Sequence, residues 1–221
     1  MSQNVVITGA NRGIGLSLSK LFSAQGANVF ALCRETTSEL NSLNVRVIEG
    51  VDVSIPEVGK KLKAELESVQ IDLLINNAGI LRNEVLGDID YSTIEQQFAV
   101  NAIGPLRVTE ALEHQLVDGA KVAMITSRMG SIADNTSGGR YGYRMSKAAL
   151  NIAAVSLAQD LASRQISVGI FHPGLVGTDM IGGFGDITPD QAAERLAKRI
   201  SELNLQNSGS FWHSNGELLP W

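Results

Sequence analysis

Apolar positions along the chain fall into short continuous runs separated by stretches of helical period. Residues 4 to 8 (Asn-Val-Val-Ile-Thr), 28 to 32, 45 to 51, 71 to 75, 121 to 126 and 166 to 171 are rich in Val, Ile and Leu. Such runs suit strands covered on both faces. A seventh, short strand is predicted at 210 to 213, before an Asn215-Gly216 turn. Between the runs, Leu16, Leu18, Leu21 and Phe22 predict a helix that stops at Gly26. A second helix reaches about Ser68, with Ser54 as its cap, Pro56 in its first turn and a solvated face of lysines and glutamates. Tyr91 to Gln115 reads as one long helix interrupted at Gly104-Pro105, and 141 to 163 as another. Thr188 caps a last helix, Pro189 to Leu203. Alternating strands and helices predict one α/β domain over residues 1–221, a doubly wound parallel sheet of about seven strands with helices on both faces.

Composition narrows the function. Apolar content of 44% and charged content of 19% are those of an ordinary globular protein. A net charge of -5 argues against nucleic acid and anionic membranes as partners. The opening Met-Ser-Gln-Asn-Val-Val-Ile has neither a basic region nor a long apolar run, so no secretion signal is expected. The single cysteine, Cys33, excludes an intrachain disulfide and fits a reducing, cytoplasmic setting. His114, His172 and His213 have no metal-ligand spacing, and no metal is expected.

Chemistry enters with two stretches. After the first strand comes Gly9-Ala10-Asn11-Arg12-Gly13-Ile14-Gly15 and then a helix. Strand, glycine turn and helix form the context of a dinucleotide-binding loop, in which glycines permit close backbone approach and the helix N-terminus faces a phosphate. The end of the second strand has no acid to hold a ribose 2′-hydroxyl. It has Arg34, and Arg12 lies in the loop; two guanidinium groups suit a 2′-phosphate, so NADP(H) is expected over NAD(H). The fourth strand runs into Asn76-Asn77-Ala78-Gly79, suited to a turn or to an adenosine wall. The second stretch is Tyr143 and Lys147, four apart on a helix and therefore on one face. A nearby ammonium favours phenolate, so the pair is a candidate acid/base device. Ser127 ends the fifth strand, where open sheets place ligand-contacting groups. Asn101 lies one turn before the proline, as a polar residue at a kink or as a water holder. Gly182, Gly183 and Gly185 make 177 to 188 a mobile loop or a lid.

Together these motifs resemble the short-chain dehydrogenase/reductase family over nearly the whole chain. Thr8 to Gly15 matches its TGxxxGxG loop, Asn76 to Gly79 its NNAG turn, Asp52-Val53 its adenine contact, and Tyr143 with Lys147 its YxxxK. The loop 135 to 139 and the stretch 216 to 221 look more narrowly like its C-factor-like carbonyl reductase branch. The resemblance implies a Rossmann-type fold and hydride transfer between NADPH and a small carbonyl or alcohol. Gly9, Asn11, Arg12, Gly13, Ile14, Gly15, Arg34, Asp52, Val53, Asn77, Ala78, Gly79, Tyr143, Lys147, Pro173, Gly174, Val176 and Thr178 would contact the cofactor. Tyr143 would be the proton donor, Lys147 would lower its pKa, Ser127 would hold the substrate oxygen and Asn101 would position a water. Ser131 lies nearer the family's usual serine spacing, but Ser127 directly ends the strand and is preferred. A homodimer or homotetramer is implied by the family. The second reading is a cofactor-bound signalling or regulatory protein with vestigial redox activity; epimerisation or dehydration on the same site also fits the fold.

Overall fold

The computed structural model describes residues 2–221. Its strands are β1 Asn4–Thr8, β2 Asn28–Leu32, β3 Arg46–Ile48, β4 Ile71–Asn76, β5 Leu116–Ile125, β6 Ser167–His172 and β7 Phe211–His213. All pair in parallel, in the order β3-β2-β1-β4-β5-β6-β7. Among the described residues seven α-helices surround them: α1 Gly13–Ala24, α2 Ser38–Asn41, α3 Val58–Glu65, α4 Tyr91–Phe98, α5 Gly104–Leu112, α6 Tyr141–Asp160 and α7 Pro189–Glu202. Alternation along the strands sorts their side chains into two cores. Val6, Leu74, Val122 and Met124 pack with Leu62 of α3, Leu112 of α5 and Leu150 of α6. Val5, Ile7, Ile75 and Ile125 pack with Leu18 and Phe22 of α1 and Leu196 of α7. The expected doubly wound sheet is therefore present, and its strand order reverses between β1 and β4. Ligands of such sheets bind at that switch point, beyond the carboxyl ends of the strands.

Several local expectations change. The helix expected over 91 to 115 is two helices joined by a π-helical turn, Ala99–Ile103, which lies just before Gly104-Pro105. Pro105 has no N–H for the carbonyl four residues earlier, that of Asn101, and a wider turn absorbs the mismatch. Ser54 caps no helix: its N–H and hydroxyl both donate to Asp52 Oδ1, at 2.9 and 2.6 Å, and α3 starts only at Val58. Strand β3 spans three residues rather than the expected seven, whereas β5 begins five residues before Lys121. Helix α2, too short to show a period, is held by the Thr37 hydroxyl accepting from Leu40 N–H. Thr188 does cap α7, in a reciprocal capping box with Gln191. The segment 177 to 188 is pinned at its base, where Gly177 N–H donates to the Ile187 carbonyl and Asp186 N–H to that of Leu175.

At one sheet edge the chain returns along β7. His213 N–H donates to the Glu217 carbonyl and Leu219 N–H to that of Phe211, each at 2.8 Å. Trp221 stacks on Phe211, and its carbonyl accepts from Ala133 N–H at 2.8 Å.

Candidate active site

The glycine loop is shaped by backbone packing. Gly9 and Gly13 adopt positive φ of 65° and 53°. A Cβ on Gly15 would stand 2.2 Å from the Gly9 carbonyl oxygen, and one on Gly9 would stand 2.9 Å from Ala78 Cα. These two glycines thus admit the protein's own backbone: they let β1, α1 and the 76 to 79 turn meet. Thr8 fastens that junction, its hydroxyl accepting from Asn77 and Ala78 N–H at 3.0 Å each. The Asn77 amide donates in return to the carbonyls of Thr8 and Gly9. Helix α1, which contains Ile14, has no side-chain cap and no acid in its first turn. Its N-terminal amides therefore have no side-chain acceptor and carry the polarity an anion needs. Gly13 faces the Thr178 methyl, 3.3 Å from an added Cβ, which brings the segment after β6 to the loop. In that segment Pro173 and Val176 are buried, Gly174 has a positive φ of 100°, and the Pro173 carbonyl accepts from Ser214 Oγ at 2.7 Å.

At the end of β2, Arg34 is exposed, and its charge is among the influences that hold the Asp52 carboxyl below its usual range, the largest being the Ser54 hydroxyl. Arg12, also exposed, lies 3.9 Å from Asp179. Asn11 ties the loop to the same corner by donating to the Glu35 carbonyl at 2.9 Å. Val53 is buried against Gly104.

Helix α6 presents Tyr143, Lys147 and Asn151 at successive turns toward the end of β5. Lys147 Nζ donates to the Ile125 carbonyl at 2.9 Å, and Asn151 Oδ1 accepts from the Thr126 hydroxyl at 2.7 Å. Gly130 permits this seat, since a Cβ there would fall 2.8 Å from the Lys147 carbonyl carbon. Tyr143 is 8% exposed and Lys147 4%. The ammonium lies 5.8 Å from the phenol ring centroid.

Burial governs both groups. It brings the Lys147 pKa down to about 8, which leaves the amine mostly charged at neutral pH. It pushes the Tyr143 phenol above its ordinary 10, while the hydrogen-bonded Ser127 hydroxyl and the Arg140 guanidinium pull it partly back. Desolvation is the largest of these influences, and the lowering expected from Lys147 is not among them. The Ser127 hydroxyl, which bears on the phenol's titration, also accepts from Met129 N–H at 3.2 Å, and the Ser131 hydroxyl accepts from Asp134 N–H at 3.1 Å.

The Asn101 side-chain amide is fully engaged with its surroundings. Oδ1 accepts from Ile80 N–H and Nδ2 donates to the Ile80 carbonyl, both at 2.8 Å, with a further bond to Ser146 Oγ. The side chain thus clamps the backbone after the 76 to 79 turn. It lies beside Gly79, on which a Cβ would meet Asn101 Oδ1 at 3.3 Å and Lys147 Nζ at 3.7 Å. Sequence reading also missed Thr126 and Asn151; the latter continues the Tyr143–Lys147 spacing by four. Among the described residues no cluster of His, Cys, Asp or Glu could hold a metal, and no helix is long and apolar enough to cross a membrane.

The family model for "short chain dehydrogenase" matches residues 3–188. A Rhodococcus sp. (strain AD45) protein, 1-hydroxy-2-glutathionyl-2-methyl-3-butene dehydrogenase, is 41% identical over 98% of this chain and 99% of its own. The C-signal protein of Myxococcus xanthus is 45% identical over 68% of this chain and 93% of its own. Among solved structures, NADPH-bound carbonyl reductase from chicken fatty liver superposes with a TM-score of 0.89 at 28% identity, covering 100% of this chain and 99% of that one. A glycine loop on an uncapped helix, a buried Ser–Tyr–Lys group at the sheet's carboxyl end, and relatives matched from end to end all carry one conclusion: the chain is a member of the short-chain dehydrogenase family.

Proposed function

We propose that the protein reduces small carbonyl compounds with NADPH. One observation carries this reading: Ser127, Tyr143 and Lys147 meet, buried, beside a helix N-terminus that has no cap of its own. Gly9, Asn11, Arg12, Gly13, Ile14 and Gly15 would hold the pyrophosphate, and Arg12 with Arg34 the 2′-phosphate. Asp52, Val53, Asn77, Ala78 and Gly79 would line the adenosine side, and Pro173, Gly174, Val176 and Thr178 the nicotinamide side. A bound nicotinamide dinucleotide supplies the hydride. The protein's part is to place a proton. Ser127 Oγ holds the substrate oxygen, and Tyr143 Oη donates to it. Lys147, fixed by the Ile125 carbonyl, keeps a positive charge near the phenol and favours the phenolate that donation leaves behind. The Asn101 carbonyl, deprived of an α-helical N–H by Pro105, is free to hold a water on the proton's path. Chicken carbonyl reductase is NADPH-bound, which supports the cofactor, and the two exposed arginines support NADPH over NADH.

The test is NADPH oxidation against a panel of aldehydes, ketones and quinones. Tyr143→Phe is expected to lower kcat by ~100-fold to ~10,000-fold while NADPH binding persists. Arg34→Ala should narrow the preference for NADPH over NADH by roughly tenfold. Activity retained by Ser127→Ala but lost in Ser131→Ala would reverse the serine assignment. Likeness to the C-signal protein supports a second reading, a cofactor-bound signalling protein. Wild type that binds NADPH and reduces nothing would favour it.

Ile103 and Leu106 near α5, and Met145 and Ile152 on α6, remain exposed, which supports self-association as a dimer or tetramer; the mass in solution by light scattering tests it. The free, buried Cys33 suits a reducing cytoplasm.

A further inference from the structure

Helix α6 carries Tyr143 in its first turn, yet it has no cap of its own. Its N-cap residue is Arg140, in a left-handed conformation with φ 51°, and no side chain of the helix bonds back to its first amides. The missing acceptor comes from 58 residues earlier. Glu84, in the loop after β4, is 2% exposed. Its Oε2 accepts from Gly142 N–H at 3.1 Å, and its main-chain carbonyl accepts from Arg140 N–H at 3.2 Å. Its Oε1 accepts from the Thr93 hydroxyl at 3.0 Å and from the Gln97 amide. Gln97, fully buried, passes the chain of bonds on, its Oε1 accepting from Arg82 N–H at 2.9 Å.

No lysine or arginine side chain pairs with Glu84 among the described residues. A buried carboxylate needs compensation, and the donors present are hydrogen bonds and the positive end of α6. Gly142 is small for the same reason: a Cβ there would lie 2.5 Å from Gln97 Nε2 and 2.9 Å from Glu84 Oε1.

We propose that Glu84 is a positioning residue for the reaction: its carboxylate caps α6 from outside and so fixes where the Tyr143 phenol, one residue beyond the capped amide, stands. The inference rests on the reductase reading above. It also ties the loop 80 to 84, helix α4 and the start of α6 into one unit.

The variants Glu84→Gln and the exchange Glu84→Gln with Gln97→Glu separate the possibilities. The single change leaves two amides facing each other, so Gly142, Arg82 or Gln97 loses an acceptor. The exchange restores a carboxylate–amide pair with its polarity reversed. The new amide at position 84 accepts from Gly142 N–H and donates to the new carboxylate at position 97, which accepts from Arg82 N–H. Expected for Glu84→Gln is a kcat lower by ~10-fold to ~100-fold, with KM for NADPH within ~2-fold of wild type. Hydrogen exchange at the Gly142 amide should quicken. In the exchanged double variant both should return toward wild type. A Glu84→Gln protein that melts earlier but keeps kcat would overturn the proposal, as would a folded double variant that stays slow. Should wild type reduce no carbonyl at all, the reductase reading falls. Gly142 exchange still decides the capping in that case, measured in Glu84→Ala, which leaves no acceptor at that position: unchanged protection there ends it.

Discussion

His172 follows the hydrophobic run of β6 and precedes Pro173, and its ring meets His213 edge-on with centroids 4.9 Å apart. Burial, with His213, Arg128 and Lys147 nearby, brings its pKa down to about 3, and its Nδ1 has no hydrogen-bond partner among the described residues. A histidine in the unfolded chain titrates near 6.5. Between these values the unfolded state binds a proton that the native state refuses. Stability is therefore full above 6.5 and is lost progressively as pH falls toward 3. His172→Gln, which cannot titrate, should flatten this acid limb relative to wild type. Urea unfolding from neutral pH down to the carboxylate range measures it, and an equally steep limb in the variant would contradict the assignment. At this scale the sequence told residue types and spacings. Tyr143 and Lys147 were legible because four residues make one helical turn. Their pKa directions were not, because burial belongs to the folded chain: the phenol that the lysine should have made more acidic is made less so by desolvation.

The segment from Tyr91 to Leu112 shows how one residue shapes an element. Pro105 removes the α-helical donor for Asn101, and the five-residue π turn follows. Pro105→Ala would restore that N–H. The expected result is a more regular helix, a melting temperature equal to or above wild type, and kcat lower by ~10-fold or more because the Asn101 carbonyl is reclaimed. Calorimetry beside a turnover assay would show it; unchanged kcat would remove the carbonyl from the mechanism. A kink was foreseeable from Gly104-Pro105, but its form was not, since α and π turns use the same residues with different hydrogen-bond partners. Strong local signals read correctly, as with Thr188 and Pro189 at the start of α7. The cap of α6 could not be read in this way, because its acceptor lies 58 residues away in sequence. Ser54 misled for the converse reason: Asp52, two residues before it, takes its hydroxyl.

Across the whole molecule, the order of strands does what no single motif can. It sets β1 and β4 side by side, so that Gly9 and Ala78 touch although 69 residues separate them. Alternating apolar runs made that sheet legible, because strands buried on both faces leave a dense signal. The outermost strands carry a weaker one, three residues each. Their shortness has a consequence for how the protein behaves in a crowded solution. An open strand edge invites another chain to add to the sheet. At β3 the edge is brief, and Arg46 holds a charge there, 5.7 Å above the Phe30 ring. At β7 the backbone is occupied by Glu217 and Leu219 of the returning chain. Removing residues 216 to 221 should bare that edge and the Phe211 ring together. Light scattering is then expected to show aggregates that grow with concentration, with thioflavin fluorescence reporting added strands. Growth of such aggregates would make the short stretch from 216 to 221 a guard against polymerisation.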